Sequence, residues 1–227
     1  MRFDSYKLST ENNPEFTKKG NDAVDISESA INPSLGIVYE ANPGLTLFGR
    51  YSRGFRPPIY DEANFSFRAD IPSRPHKGIP NPDIKTETSN NFELGLRSRS
   101  KQFDFDVTGF YNRYDDFIER AALIGYDNND IGSITPVPFQ TFQTKNVSDA
   151  EIYGLEIKAA YRFSSQPGGF ALQGGLGFQV GNDLTENKPL STVGPLQAVL
   201  GLGYKSPDDK WGADLISTFV AKAREQE

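Results

Sequence analysis

Apolar residues recur at every second position in one stretch of this chain after another. The clearest stretches are residues 45–52, 92–96, 103–111 and 153–163, where leucine, isoleucine, valine and aromatic residues alternate with polar ones. A period of two places these side chains on one face of an extended strand. The pattern predicts an all-β chain, and the alternating stretches amount to about nine strands.

The connections between the stretches are of two kinds. Short turns occupy residues 41–44, 99–101, 164–169 and 206–209, and longer polar loops occupy residues 54–88, 115–140 and 182–193. Residues 10–30 are also polar and lack periodicity. Short periplasmic turns and long outer loops are typical of transmembrane β-barrels. We therefore predict an antiparallel meander of the transmembrane barrel type. Because single-chain bacterial barrels use an even number of strands, about nine would form part of a larger transmembrane β-barrel.

Composition excludes several other classes of protein. The mean hydropathy of −0.53 comes without any apolar run long enough for a membrane helix. Averages alone do not separate a soluble β-protein from a barrel, but 21 glycines, 17 phenylalanines and 10 tyrosines favour the barrel. A net charge of −6 argues against a nucleic-acid partner. The absence of cysteine excludes disulfides and thiolate chemistry.

The loop at residues 54–88 is too long for an ordinary hairpin and contains the only histidine, His76. Prolines at positions 57, 58, 72, 75, 80 and 82 stiffen it, and we expect them to prevent helix formation and ladder pairing there. A long, stiff loop between two strands is a candidate binding element.

Sequence boxes lie at the two ends of this loop. The first is FRPP, at Phe55, Arg56, Pro57 and Pro58, and the second is NPDI, at Asn81, Pro82, Asp83 and Ile84. Paired boxes at this spacing resemble those of TonB-dependent outer-membrane receptors, with proline where the family usually has alanine. The run NVSDAEIYGLE, from Asn146, is similar to the same family, so the resemblance spans most of the chain.

This resemblance implies a protein of the bacterial outer membrane, in contact with its lipid and energised by the TonB complex through a plug domain. The amino terminus lacks the apolar segment of a signal peptide, and the carboxyl end finishes in charged residues rather than an aromatic one. We therefore expect residues 1–227 to be one partial receptor barrel, with the plug, its energy-coupling box and the final strands lying outside this sequence.

The resemblance also implies a cargo. The run YDEANFSF, residues 60–67, is similar to the segment that follows the first box in haemoglobin receptors. In that branch a histidine between the boxes is an axial ligand of haem iron, and only His76 can take that role here. A second ligand would come from the plug, from another loop or from a tyrosine. No intrinsic cofactor is implied, since haem is the transported ligand. An incidental loop histidine is the competing interpretation.

Other loop residues are candidates for cargo contact. Tyr60, Phe65 and Phe67 could stack on a porphyrin or contact a globin surface, or could simply pack the loop on itself. Arg56, Arg68 and Arg74 could pair with haem propionates, although a solvated arginine is the simpler interpretation for each.

Three other functions remain open at this point. A ferric-siderophore receptor of the same family would use aromatic and arginine residues without His76. A soluble secreted β-domain that binds a ligand would be monomeric without detergent. An outer-membrane hydrolase would need a nucleophile beside His76, which the sequence does not indicate. We therefore predict a transporter for haem, taken from haemoglobin or another haem protein, rather than an enzyme.

Overall fold

The structure, a computed structural model, describes residues 1–9, 23–134, 136–190 and 193–222. These residues form thirteen strands and one short helix, α1, at Tyr60–Ala63. The strands are β1 Arg2–Leu8, β2 Ile26–Asn32, β3 Ser34–Asn42, β4 Leu45–Arg56, β5 Phe67–Ala69, β6 His76–Ile79, β7 Glu87–Arg99, β8 Phe103–Ile131, β9 Pro138–Arg162, β10 Gly169–Asp183, β11 Lys188–Pro189, β12 Gln197–Lys205 and β13 Gly212–Val220. In the described part of the chain, no helix is long and apolar enough to cross a membrane.

Eight strands neighbour one another in the sheet in chain order: β3, β4, β7, β8, β9, β10, β12 and β13. The register between β9 and β10 runs without interruption from Arg162 opposite Ala171 to Ala150 opposite Asp183. The pairs β3–β4, β10–β12 and β12–β13 are likewise antiparallel. The predicted antiparallel meander is confirmed, and all nine predicted stretches are strands.

The chain divides into two compact units. Unit 1 consists of Met1–Pro33, Gly54–Ser89 and Tyr114–Asp149, and unit 2 consists of Ser34–Arg53, Asn90–Arg113 and Ala150–Glu227. Most of the meander belongs to unit 2, whereas unit 1 contains both sequence boxes and His76.

Large apolar side chains lie exposed along the strands of unit 2, and on β3 and β13 every residue is exposed. Leu35, Ile37 and Tyr39 on β3 are 64, 66 and 63% exposed, and Leu94 on β7 is 73% exposed. In water, so much contiguous apolar surface would be unfavourable. Toward lipid it is what a membrane-spanning strand requires, because lipid-facing residues alternate with lumen-facing ones.

Aromatic side chains gather beside the short turns of unit 2. The ring centroids of Phe170 and Tyr204 lie 4.9 Å apart, and those of Tyr204 and Trp211 lie 5.0 Å apart. Tyr161 and Phe163 pack edge to face at 5.2 Å at the end of β9. A belt of aromatic residues at one level is typical of the interface between lipid and water in transmembrane barrels.

Unit 1 has a small apolar core of its own. Val24, Ile26, Ala63, Ile84 and Ile118 form one buried cluster. The partly buried side chains of Tyr6 and Leu8 pack against it. This core joins segments far apart in sequence, and one of its members, Ile84, comes from the second box.

The amino-terminal segment differs from the prediction in part. Strand β1 pairs antiparallel with β2, from Arg2 opposite Asn32 to Leu8 opposite Ile26, in a separate two-stranded sheet. We expected residues 10–30 to lack regular structure, and Ile26–Asn32 contradicts this. Backbone hydrogen bonds to β1 stabilise this strand, although its sequence, ISESAIN, does not predict one. Residues 23–25 have no regular structure, as expected, and residues 10–22 lie outside the described residues.

The prediction that prolines prevent ordered structure in the loop at residues 54–88 is wrong. Helix α1 and strands β5 and β6 lie within it, and β6 also pairs in parallel with β9, His76 opposite Gln140. All six prolines fall outside these three elements. Because proline lacks the N–H that a helix or ladder needs, it limits the length of each element while allowing elements between prolines.

The two other predicted long loops are shorter than expected. Strand β8 continues to Ile131 and β9 begins at Pro138, so most of residues 115–140 is strand. Strand β10 likewise continues to Asp183, where it pairs with Lys188 of β11. These strand ends lack a strict alternation of apolar and polar residues, so no period of two predicted them as strands.

Candidate functional site

Arg56 of the first box, the last residue of β4, is the centre of an ion-pair network, and its side chain is partly exposed. Its Nη1 donates to both carboxylate oxygens of Glu62 at 2.9 Å, and its Nη2 donates to Glu87 at 3.0 Å. Pro58, two residues after Arg56, is fully buried. The guanidinium therefore joins β4, helix α1 and the start of β7.

Both carboxylates of this network are almost fully buried. The side chains of Glu62 and Glu87 are 3 and 9% exposed. Glu62 also accepts the backbone N–H of Ile59 at 3.1 Å, and Glu87 accepts that of Ile118 at 3.0 Å. Burial works against the charge on Arg56, but hydrogen bonds to Glu87 and Glu62 outweigh it and raise the pKa of the guanidinium.

The second box ties the end of the loop to neighbouring segments. Asn81 donates its side-chain N–H to the Thr144 carbonyl at 2.9 Å and its backbone N–H to the Ala63 carbonyl at 3.1 Å. Its side-chain oxygen accepts the backbone N–H of Asp83 at 3.0 Å, which closes a local turn. Pro82 and Asp83 are exposed, whereas Ile84 is buried. The two boxes thus act as the framework of the loop.

His76 is the first residue of β6 and is half-buried. Its Nδ1 lies 3.1 Å from the Arg74 carbonyl oxygen. A carbonyl only accepts hydrogen bonds, so in the neutral imidazole the proton resides on Nδ1 and the lone pair on Nε2. A backbone carbonyl on one ring nitrogen is a common way to orient a metal-binding histidine.

Aromatic rings surround this imidazole. Phe67 packs edge to face on His76 at 5.5 Å, Phe142 does so at 6.4 Å, and Phe65 packs on Phe67 at 5.1 Å. A Cβ at Gly78 would lie 2.5 Å from the Phe65 ring and 2.7 Å from that of Phe67, so only glycine allows this packing. The predicted contacts Phe65 and Phe67 therefore lie together with His76.

Phe142 was not predicted as a site residue. It belongs to β9, and the parallel pairing of β6 with β9 places it opposite Gly78. A parallel pair between segments more than sixty residues apart leaves no local signal, because neither segment carries a turn that sets the register. We see no feature of the sequence that would have identified it.

Tyr60 lies apart from this group, in a pocket of about 490 Å³. The pocket is lined by Tyr60, Asp61, Asn64, Phe65, Ser66, Arg120, Ala121 and Thr144. Tyr60 is 49% exposed. Phe65 lines the pocket and also contacts Phe67, so it connects the pocket to the rings around His76.

The three arginines considered for propionate binding differ in their surroundings. Arg56 is occupied by Glu62 and Glu87. Arg68 pairs with Asp130, at 2.8 Å for its Nη2, and lies 3.9 Å above the centre of the Phe139 ring. Arg74 is exposed and makes no ion pair with any residue that the structure describes.

A second ionic cluster joins the loop to the end of β8. Lys77 donates to Asp127 and to Asp130 at 2.8 Å each, and Arg68 pairs with Asp130 from the adjacent strand β5. Hydrogen bonds from Arg68 and then Lys77 hold the pKa of Asp130 well below its usual range. Burial opposes the charge on Lys77, but its hydrogen bonds to Asp127 and Asp130 raise its pKa. The cluster fastens β5 and β6, and hence His76, to β8.

Lowering the pH is expected to weaken the ion pairs of this cluster. The pKa of Asp130 is lower in the folded protein than its unfolded value of about 3.9, so its stabilisation is complete above about pH 5 and is lost as the pH falls through the folded pKa. Because Arg68 is half exposed, its pair with Asp130 contributes about 0.2–1 kcal/mol. The free energy of local opening of β5 and β6, from hydrogen exchange corrected for intrinsic rates, measures the loss.

Asp130→Asn should lower that opening free energy at pH 7 and remove most of its dependence on acid. Asp115→Asn, which changes an exposed aspartate of the same strand, is the matched control and should behave as the wild type. An unchanged acid response in Asp130→Asn would contradict the role of the cluster.

The exposed apolar rows, the aromatic belt and the antiparallel meander together define part of the wall of a transmembrane β-barrel. The sequence model of the family described as "TonB dependent receptor-like, beta-barrel" matches residues 1–226. The chain belongs to this family, which confirms the resemblance carried by the two boxes.

Among curated relatives, a probable hemoglobin and hemoglobin-haptoglobin-binding protein 4 of Haemophilus influenzae is 32% identical over 83% of this chain and 19% of its own length. Hemoglobin-haptoglobin utilization protein B of Neisseria meningitidis serogroup C is 27% identical over 97% of this chain and 29% of its own length. The chain thus spans less than a third of the length of these relatives.

Solved structures support the fold. The copper transporter OprC superposes with a TM-score of 0.67 at 22% identity, covering 89% of this chain and 28% of that one. The siderophore receptor PirA from Pseudomonas aeruginosa gives 0.62 at 19% identity, covering 86% of this chain and 35% of that one. At this level of identity the likeness concerns the fold alone.

Proposed function

We propose that this chain is part of a bacterial outer-membrane receptor that takes up haem, taken from haemoglobin or another haem protein. The names of its relatives support this cargo, since one describes binding of hemoglobin and hemoglobin-haptoglobin and the other describes utilization of hemoglobin-haptoglobin. Uptake is driven by the TonB complex through a plug domain, and the process is transport rather than catalysis.

The observation that carries the proposal is the geometry of His76. Its Nδ1 donates to the Arg74 carbonyl, 3.1 Å away, so Nε2 carries the lone pair that an iron ion accepts. Haem iron takes a histidine as axial ligand, and its porphyrin supplies the remaining in-plane ligands. A single well-oriented imidazole is therefore sufficient on this side of the ring.

Neighbouring residues would hold the rest of the cargo. Phe65 and Phe67 offer ring faces and edges beside the imidazole, and Tyr60 is exposed in the adjoining pocket. Arg74 is exposed and free of ion pairs with the described residues, so its guanidinium is available for an anionic group. The exposed apolar rows of unit 2 would face the lipid of the outer membrane.

Titration with ferric haem tests the proposal. The full-length protein, purified in detergent, is expected to shift the Soret band of haem to the position of a histidine-ligated species and to saturate. A ferric catecholate siderophore, titrated in parallel by quenching of protein fluorescence, should give no saturable change. The siderophore alternative predicts the reverse, and that outcome would overturn haem as cargo.

A further inference from the structure

The pocket beside helix α1 combines two aromatic rings with one arginine. Tyr60 and Phe65 line it together with Arg120 of β8, and its volume is about 490 Å³. This volume lies within the range of small-molecule sites, roughly 300–1,000 Å³. Aromatic walls with a guanidinium suit a flat ligand that carries a carboxylate, because the guanidinium fork binds a carboxylate through two parallel hydrogen bonds.

Most of the N–H donors of Arg120 are not used by its ion pair. Its one ion pair with a described residue is to Glu62, with Nε 3.6 Å from Oε1, and its side chain is 57% exposed. Glu62 is already paired with Arg56, whose Nη1 lies 2.9 Å from both carboxylate oxygens of Glu62. A guanidinium carries five N–H donors. The outer part of Arg120 therefore remains available to a ligand in the pocket.

The backbone next to Arg120 is unusual. Ala121 has a φ of +50°, in the left-handed region that residues with a side chain rarely adopt. Arg120 and Ala121 are both exposed, which interrupts the alternation of β8. Irregularities of this kind re-aim side chains within a strand, and backbone strain of this kind is concentrated at functional sites.

The pocket lies close to His76 through a chain of ring contacts. Phe65 lines the pocket and lies 5.1 Å from Phe67, which in turn lies 5.5 Å from His76. One macrocycle could therefore reach both places. Of the three arginines considered earlier for this role, Arg56 and Arg68 are already paired with carboxylates, and only Arg74 is also available.

We propose that Arg120 binds a carboxylate of the cargo in this pocket, so that it recognises the propionate edge of a tetrapyrrole while Tyr60 and Phe65 contact its flat surface. This inference rests on the proposed function, since it names a second point of contact for the same ligand. It assigns a specificity role to a residue that lies outside both sequence boxes.

The test compares haem with haem dimethyl ester, in which neutral esters replace both propionates. In the full-length protein in detergent, Arg120→Gln should weaken ferric haem binding about 10- to 100-fold, the value of a charge-assisted hydrogen-bonded pair. The same variant should change binding of the dimethyl ester less than about threefold. Arg53→Gln, which removes an exposed arginine of β4, should alter neither affinity.

Replacement of Asp61 should change the affinity for haem in the direction opposite to that of Arg120→Gln. This exposed carboxylate lines the same pocket and repels a bound anion, so Asp61→Asn should tighten binding of haem several-fold without changing that of the ester. A merely structural effect of either substitution would change both ligands equally.

Two results would overturn the inference. Equal weakening of haem and ester by Arg120→Gln would show that the residue acts through the fold, and an unchanged affinity for haem would show that it makes no contact. In either case wild-type haem binding and its Soret shift would persist, so the proposed function would stand. Loss of haem binding by the wild type would instead contradict the proposed function.

Discussion

His76→Ala is expected to abolish the Soret shift of ferric haem and to weaken its binding by about 100-fold or more. Replacing a residue that only orients a metal ligand costs about 10- to 100-fold, and removal of the ligand itself should cost at least as much. No other histidine in the chain can take its place. Absorption titration of the full-length protein in detergent measures both effects.

Two controls separate ligation from folding. Iron-free protoporphyrin has no metal to ligate, so its affinity should be the same for the wild type and for His76→Ala. Free imidazole at millimolar concentration should restore the Soret shift of the variant, because the substitution leaves a gap between Phe67 and Phe142 where a ring fits. Equal loss of both porphyrins would show instead that the substitution disrupts the loop.

Arg56→Ala should destabilise unit 1 by about 2–3 kcal/mol, less than the loss of a fully buried pair, because the Arg56 side chain is 41% exposed. Removing one partner of a buried ion pair leaves the other uncompensated. Here the buried Glu87 loses its cation, and Glu62 keeps only the longer contact of 3.6 Å with Arg120. The amides of Ile59 and Ile118, which donate to these carboxylates, should lose hydrogen-exchange protection first.

Arg53→Ala is the matched control for this change. Arg53 lies three residues earlier on β4 and is exposed, so its replacement should alter stability by no more than about 0.5 kcal/mol. Similar losses in the two variants would mean that the network around Arg56 contributes nothing beyond a surface charge.

Strands of the wall were predictable from the sequence because membrane and water impose a strict alternation on them. The rows from Leu35 to Tyr39 and from Tyr153 to Phe163 each carry that alternation, and each is a strand. The boxes were recognisable too, since Arg56 and Asn81 make bonds that depend on the identity of the side chain.

Most of unit 1 was not predictable in the same way. Strand β8 beyond Asp115 lacks a strict alternation of apolar and polar residues, so a period of two does not distinguish it from a loop. Contacts such as Lys77 with Asp127 and His76 with Phe142 join residues fifty or more positions apart. Such contacts require the pairing of β5 with β6 and of β6 with β9. This backbone pairing leaves no periodic pattern in the sequence.

The parallel pairing of β6 with β9 has a consequence for how related chains can vary. His76 lies opposite Gln140, so the imidazole is positioned by a strand that starts at Pro138, after the end of β8 at Ile131. Insertions between these two strands can lengthen their connection while this pairing keeps the imidazole where it is. Deletion of one residue between positions 138 and 140 would shift the pairing by one step, and since neighbouring side chains of a strand point to opposite faces, Phe142 would turn away from the ring it now contacts.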